Sequence, residues 1–448
     1  MVRTFTRPVP ALGLALLMGA VVLGCAGPSA VGDRLTPGRL RSRGERTPAE
    51  LKASVGWLDL EAQEAGRSTI RTEDLLAFAE KARAGAKPPV PLPKKHILVI
   101  TGGGSYGAYP AGVLVGWTAT GTRPEFDVVT GISTGALLGA FAFLGTSEDA
   151  ELQRCYTTLR SSDIYRKNRL IPALLSESLA DSSPLNRVIH QVATDERIAR
   201  FAIEHRKGRR FYVGTTDLDA RRAVVWDMGA IAARDTPQSR ELFRKVLLAS
   251  ASIPGFFPPV RIPVTVDGKR FVERHIDGGT TSSMFFAPPW VPHAEHEKLP
   301  AGWLHGSEVY VLVAGKMYPD PTPVKPRTFA IASNAISTIV YDQTRSDLHK
   351  LFLLTTMTGM NYNVSVIPER VQSPLSSTDF DPHEMKRLFD EGVQWAQSGV
   401  KWRITPPGYE PGEGAKYRSG TALTDTGRAA TGTLGPPSSP IPMAVPEK

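Results

Sequence analysis

The sequence predicts an α/β fold, a mainly parallel sheet covered on both faces by helices. Three observations carry this. Short apolar runs of strand length alternate with longer helix-like stretches along most of the chain. Two of those runs, HILVI (96–100) and the stretch around FDVV (126–129), end in glycine-rich turns. The two strand–turn–helix units follow each other at a spacing of about thirty residues, as βαβ units do. With 448 residues, 41% apolar and 22% charged, the chain has enough material for one large domain plus appendages.

The appendages come first. Residues 1–24 run from a basic start (Arg3, Arg7) into ALGLALLMGAVVLG, too short for a stable span and suited to an export signal. Cys25 ends this stretch, directly after Gly24. The polar segment from Ala26 to Pro48 reads as a flexible tether, and TEDLLAFAEKARA (72–84) as a helix with Thr72 as N-cap. Four prolines in 85–95 stop that helix, so residues 25–93 form the extension and the main domain starts near Lys94.

From there RRFYVGTTDLD, RAVVWDM, FVERHI and SEVYVLVAG read as further strands and ELFRKVLLASASI as a helix. Past Trp402 the composition turns to Gly, Pro, Ser and Thr without apolar period, so 403–448 reads as a disordered tail. The net charge of +9 favours anionic surfaces, yet the densest basic clusters, RKGRR (206–210) and PKK (93–95), read as solvated loops. No nucleic-acid motif accompanies them, and no nucleic-acid partner is expected. Cys155 reads as a small buried apolar residue. HAEH (293–296) lacks further ligands at metal spacing, so neither a metal nor another cofactor is expected.

Sites in such sheets lie at the carboxyl ends of strands, where both glycine turns fall. In TGGGSYG (101–107) consecutive glycines free backbone N–H groups to face one concavity, a cup for negative charge. Gly102, Gly104 and Gly107 also satisfy a dinucleotide G-x-G-x-x-G spacing, but no acidic residue ends a second strand where a ribose would need it; Glu125 and Asp127 precede their strand. The other guest is an oxyanion, for which each donor is worth about 3–4 kcal/mol of barrier. In TGISTGALLGA (130–140) Ser133 sits between Gly131 and Gly135, the spacing of a nucleophile lifted on a sharp strand-to-helix turn. Asp277 follows a strand and is released by Gly278 and Gly279 into a turn, which it could base-catalyse from or merely cap.

The order GGGSYG, GISTG, DGG resembles the patatin-like phospholipases, lipid acyl hydrolases with a Ser–Asp dyad. SSPLNRVI (182–189), TTDLDARRAVVWD (215–227), ASASIPGFFPPV (249–260) and the closing FDPHEMKRLFDEG (380–392) are similar to that family's segments. The resemblance covers about Lys94 to Trp402 and implies a patatin-like three-layer α/β/α sandwich over 94–402. It implies Ser133 as nucleophile, Asp277 as base, and Gly102, Gly103 and Gly104 as oxyanion hole, with Gly107, Gly131, Gly135, Gly278 and Gly279 in support. It implies a lipid ester substrate at a membrane surface. Tyr106 departs from the family's usual Arg or Lys, which bears on how a phosphate headgroup is held.

VLGC (22–25) similarly resembles the lipobox of bacterial lipoproteins, which implies export and lipid attachment at Cys25. Ala26 in place of aspartate favours the outer membrane of a two-membrane cell envelope. The residues also admit two other functions. An α/β-hydrolase triad would recruit His349 or His383 after Asp277, whereas His275 falls on the opposite side of its strand as a structural or solvent-facing residue. A lipoprotein scaffold would keep the fold without catalysis, and SMFFAPPWVP (283–292) would then be either an exposed lip or a buried loop.

Overall fold

The computed structural model describes residues 67–68, 93–167, 177–266, 269–286, 304–320, 323–372, 376–399, 402–410 and 413. Cys25, the signal segment, the helical reading of 72–84, HAEH and most of the tail lie outside them.

The strands are β1 (Arg67–Ser68), β2 (His96–Ile100), β3 (Val128–Ile132), β4 (Arg166–Lys167), β5 (Ala180–Asp181), β6 (Arg210–Asp217), β7 (Arg222–Asp227), β8 (Val260–Val266), β9 (Lys269–Asp277), β10 (Glu308–Leu312) and β11 (Asn361–Ser365). The α-helices are α1 (Ala108–Ala119), α2 (Thr134–Leu144), α3 (Asp149–Thr158), α4 (Ser161–Ile164), α5 (Ser183–Val192), α6 (Asp195–Arg206), α7 (Met228–Ala232), α8 (Pro237–Ser250), α9 (Thr328–Thr358) and α10 (Pro382–Gln397).

Strands β11, β10, β2, β3 and β6 form a parallel run, each paired to the next. Beyond β6 the sheet turns antiparallel through β7 and β1, and β8 and β9 form a hairpin whose second strand also pairs with β6. The mostly parallel sheet with helices on both faces is thus as expected, with an antiparallel side in addition. Strand β2 shows why both faces are covered. Its side chains alternate, so Leu98 and Ile100 enter the core beneath α1, α2, α8 and α10, while Ile97 and Val99 enter the core shared with Leu348, Leu351 and Leu354 of α9. A continuous apolar run is what a strand buried on two sides requires.

Three expectations change. Arg209 of the RKGRR cluster is no solvated residue: its guanidinium donates to the Phe126 carbonyl at 2.8 Å and the Phe143 carbonyl at 2.6 Å, and pairs with Glu204 at 2.9 Å. The carbonyls it satisfies precede β3 and end α2, where backbone acceptors would otherwise be unpaired. Two residues of the N-terminal extension join the sheet as β1, opposite Val225 and Trp226. The chain also stays attached past Trp402, because Arg403 exchanges backbone hydrogen bonds with Val364 and its side chain pairs with Glu413 at 2.8 Å.

Candidate active site

Strand β3 ends at Ile132 and α2 starts at Thr134, so one residue makes the entire turn. That residue, Ser133, has φ 55° and ψ −128°, a conformation costing a non-glycine residue of order 1–3 kcal/mol. Its surroundings hold it there. The Ser133 amide donates to Ser250 Oγ at 2.9 Å, and Ser250 Oγ donates on to the Gly214 carbonyl at 2.7 Å. The flanking glycines answer to close approach: a Cβ on Gly131 would lie 2.2 Å from the Gly135 carbonyl oxygen, and one on Gly135 would lie 2.4 Å from that of Ile100.

Asp277 reaches the same place from the other direction. On one edge of β6, β3 pairs as far as Ile132 opposite Gly214, and β9 takes over with Asp277 opposite Thr215, while β7 occupies the other edge. The carboxyl ends of β3 and β9 therefore meet head to head, which brings residues far apart in sequence side by side. The Asp277 amide donates to the Ser252 carbonyl at 2.8 Å, and its own carbonyl accepts from Thr216 Oγ1 at 3.1 Å. Its carboxylate accepts from the Gly279 amide at 2.7 Å and lies within electrostatic reach of the Ser133 hydroxyl. Asp277 is 6% exposed and Ser133 7%. Burial raises the Asp277 carboxyl to about 6, opposed by the neighbouring Ser133 hydroxyl and the Gly279 amide.

The glycine loop follows β2. Thr101 fixes its start, donating from its amide to the Leu312 carbonyl at 3.1 Å and accepting from the Ala314 amide at 2.9 Å. A Cβ built on Gly102 would stand 3.0 Å from Ser133 Cβ and 3.7 Å from Oγ, so this loop lies directly over the serine. Gly104 needs to be glycine twice over, with φ +56° and the Ser377 carbonyl oxygen 1.9 Å from where a Cβ would sit. Among the described residues, the N–H groups of Gly102, Gly103 and Gly104 donate to no acceptor. Gly107 rests on Thr134, and Gly278 on the Gly214 carbonyl. Tyr106 is half-buried, and burial, with Tyr341, Asp320 and Asp379 nearby, raises its phenol to about 12.

From Ser133 and Gly104 an apolar cavity of about 100 Å³ runs beneath α2, among Leu137, Phe141, Ile189, Phe243 and Phe257. Among the described residues Arg197 is the one charged residue on its wall, and it is bonded to the buried Glu148 at 2.8 Å.

Residues 98–290 match the family model of the patatin-like phospholipases. The chain carries a patatin-like phospholipase domain. The matched span opens in β2 and includes the glycine loop, Ser133 and Asp277; α9 and α10 lie beyond it. No curated protein matches the chain. Among solved structures VipD from Legionella pneumophila is similar, with a TM-score of 0.32 and 12% identity over 68% of this chain; the chain spans 66% of the length of that structure.

Within the patatin-like domain no histidine bonds Asp277 among the described residues. His275 is fully buried, bonded to Thr215 Oγ1 at 3.0 Å and Glu273 Oε2 at 3.1 Å, a structural role that excludes the solvent-facing alternative. His349 bonds the Arg345 carbonyl within α9, and His383 stands exposed beside Glu384. Of the SMFFAPPWVP stretch, residues 283–286 are buried, as the core-loop reading has it. Sequence reasoning did not single out Ser250, Ser252, Ala314 and Ser377. The first two lie in the quoted ASASIPG block, but nothing in their local pattern signals that one would hold the Ser133 amide and the other the Asp277 amide.

Proposed function

We propose that this chain is a serine hydrolase of lipid carboxylic esters, with Ser133 as nucleophile and Asp277 as its base. The single observation carrying this is the meeting of the carboxyl ends of β3 and β9, which sets the Ser133 hydroxyl beside the buried Asp277 carboxylate and within its electrostatic reach. An ordinary aspartate near 3.9 is a weak base at neutral pH. Raised to about 6, Asp277 remains mostly ionised at pH 7 and takes a proton more readily. It accepts the hydroxyl proton as Ser133 Oγ bonds to the ester carbonyl carbon. The N–H groups of Gly102, Gly103 and Gly104 receive the oxyanion. The protonated carboxyl then gives its proton to the departing alcohol, leaving an acyl-serine that water cleaves by the same steps in reverse roles.

The apolar cavity beside Ser133 supports an acyl chain as the group transferred, since its wall presents apolar side chains and an Arg already paired. We further propose that the chain is exported and anchored through a lipid on Cys25, which would hold this site at an envelope membrane. Tyr106 offers no cation for a phosphate, so neutral glycerides and phospholipids are both tested as substrates.

The experiment is labelling by a fluorophosphonate probe beside a product assay on defined phospholipids, lysophospholipids and glycerides. Wild type should label and release fatty acid, Ser133→Ala should do neither, and Asp277→Asn should lose turnover. A folded wild type that neither labels nor hydrolyses would leave the scaffold reading, and full turnover by Asp277→Asn would remove the dyad.

A further inference from the structure

Helix α9 divides into two parts. Its C-terminal part is built into the molecule: Leu348, Leu351 and Leu354 are buried, and Asp347 accepts from the Ser283 amide at 2.9 Å and Ser282 Oγ at 3.0 Å, on the segment that follows the Asp277 turn. Its N-terminal part projects. Every residue from 331 to 340 is exposed, with Ile331 at 55%, Ile336 at 59%, Ile339 at 64% and Val340 at 41%.

The projecting part has two unlike faces. On a repeat of 3.6 residues, Ile331, Ala335, Ile336, Ile339 and Val340 fall within one half of the circumference. Ser333, Asn334, Ser337 and Thr338 occupy the other half. From Thr328 to Tyr341 the helix carries no charge, and the residues just before it include Lys325 and Arg327, both exposed. Its inner end adjoins the candidate site, since Tyr341 stands close enough to act electrostatically on Tyr106 of the glycine loop. An uncharged amphipathic helix with cations at its outer end matches a lipid surface bearing anionic headgroups.

We propose that residues 331–340 of α9 lie flat on a lipid surface, with the isoleucines among the acyl chains and Lys325 and Arg327 at the headgroups. So seated, the helix sets the mouth beside Ser133 against the membrane from which an acyl chain would enter. The orienting role rests on the hydrolase reading above; the docking itself does not.

The test uses the full chain with Cys25→Ser, in which the remaining cysteine, Cys155, is buried. A polarity-sensitive fluorophore is attached at Ile336→Cys or, on the polar face, at Asn334→Cys. On adding vesicles of phosphatidylcholine with a minority of phosphatidylglycerol, the Ile336 label should brighten about threefold, shift to the blue and be quenched by a spin-labelled lipid; the Asn334 label should stay in water. Equal behaviour of the two labels, or no change at either, overturns the proposal. So does an Ile336 signal that changes with protein concentration without vesicles, which would mean a second copy covers the helix. The readout needs no turnover, so failure of hydrolysis on a soluble short-chain ester counts against the hydrolase reading alone.

Discussion

Ser250 accepts the Ser133 amide at 2.9 Å and passes its own hydroxyl hydrogen to the Gly214 carbonyl at 2.7 Å, tying the turn after β3 to the middle of β6. Both atoms it serves are buried, and no water can replace a lost partner. Ser250→Ala should therefore destabilise the fold by about 2 kcal/mol, at roughly 1–3 kcal/mol for each orphaned group that fails to relax. It should also lower kcat more than it raises KM, because the strained backbone of Ser133 loses its tether. Denaturant titration beside kinetics on a soluble ester checks both, and an unchanged midpoint would show that the turn holds itself.

Asp277 should impose opposite pH dependences on activity and stability. As base it must be ionised, so kcat/KM should rise as pH passes upward through about 6. For stability the sign reverses: the raised folded value means the native state holds this proton more tightly than the unfolded chain. The contribution is fully present below about 3.9 and is lost as pH climbs through about 6. The shift corresponds to about 3 kcal/mol. Asp277→Asn should thus lose turnover yet melt above wild type at pH 7, a combination that calorimetry and a pH–rate profile would detect.

The sequence disclosed most where local chemistry and position coincide. Gly131 and Gly135 flank Ser133, and a Cβ on Gly131 would meet the Gly135 carbonyl oxygen within the same pentapeptide, so this part of the turn is written locally. Strand β2 announces its double burial by an unbroken apolar run. Pairings between distant segments left no such trace. That β9 runs antiparallel and ends opposite Thr215 depends on a hairpin with β8, and nothing in FVERHID states its direction. Arg209 reads as a solvated cation until Phe126 and Phe143 present their carbonyls to it. Helix α9 was hidden differently: its exposed half is short of charge, and a helix ordinarily shows water a charged face.

The cavity beneath α2 should set acyl length. Leu137→Phe adds bulk to a wall near Ser133 where the free volume is about 100 Å³. Long-chain esters should lose about tenfold or more in kcat/KM, while butyrate esters, which need only the mouth, should keep theirs. A uniform loss across chain lengths would mean the acyl group binds elsewhere.

Two glycine substitutions separate close approach from mere sequence pattern. A Cβ on Gly135 would lie 2.4 Å from the Ile100 carbonyl oxygen and 2.6 Å from that of Thr101, both backbone atoms that cannot swing away. At Gly315, one residue past the Ala314 that anchors the glycine loop, nothing stands within 4 Å of the added carbon. Gly315→Ala should leave stability within about 0.5 kcal/mol, whereas Gly135→Ala must push α2 off the end of β2 and should cost several times that. Because the same movement carries Ser133 away from Asp277, Gly135→Ala should also lose fluorophosphonate labelling under conditions where it remains folded. Normal labelling in that variant would show that the serine does not depend on the tight turn for its reactivity.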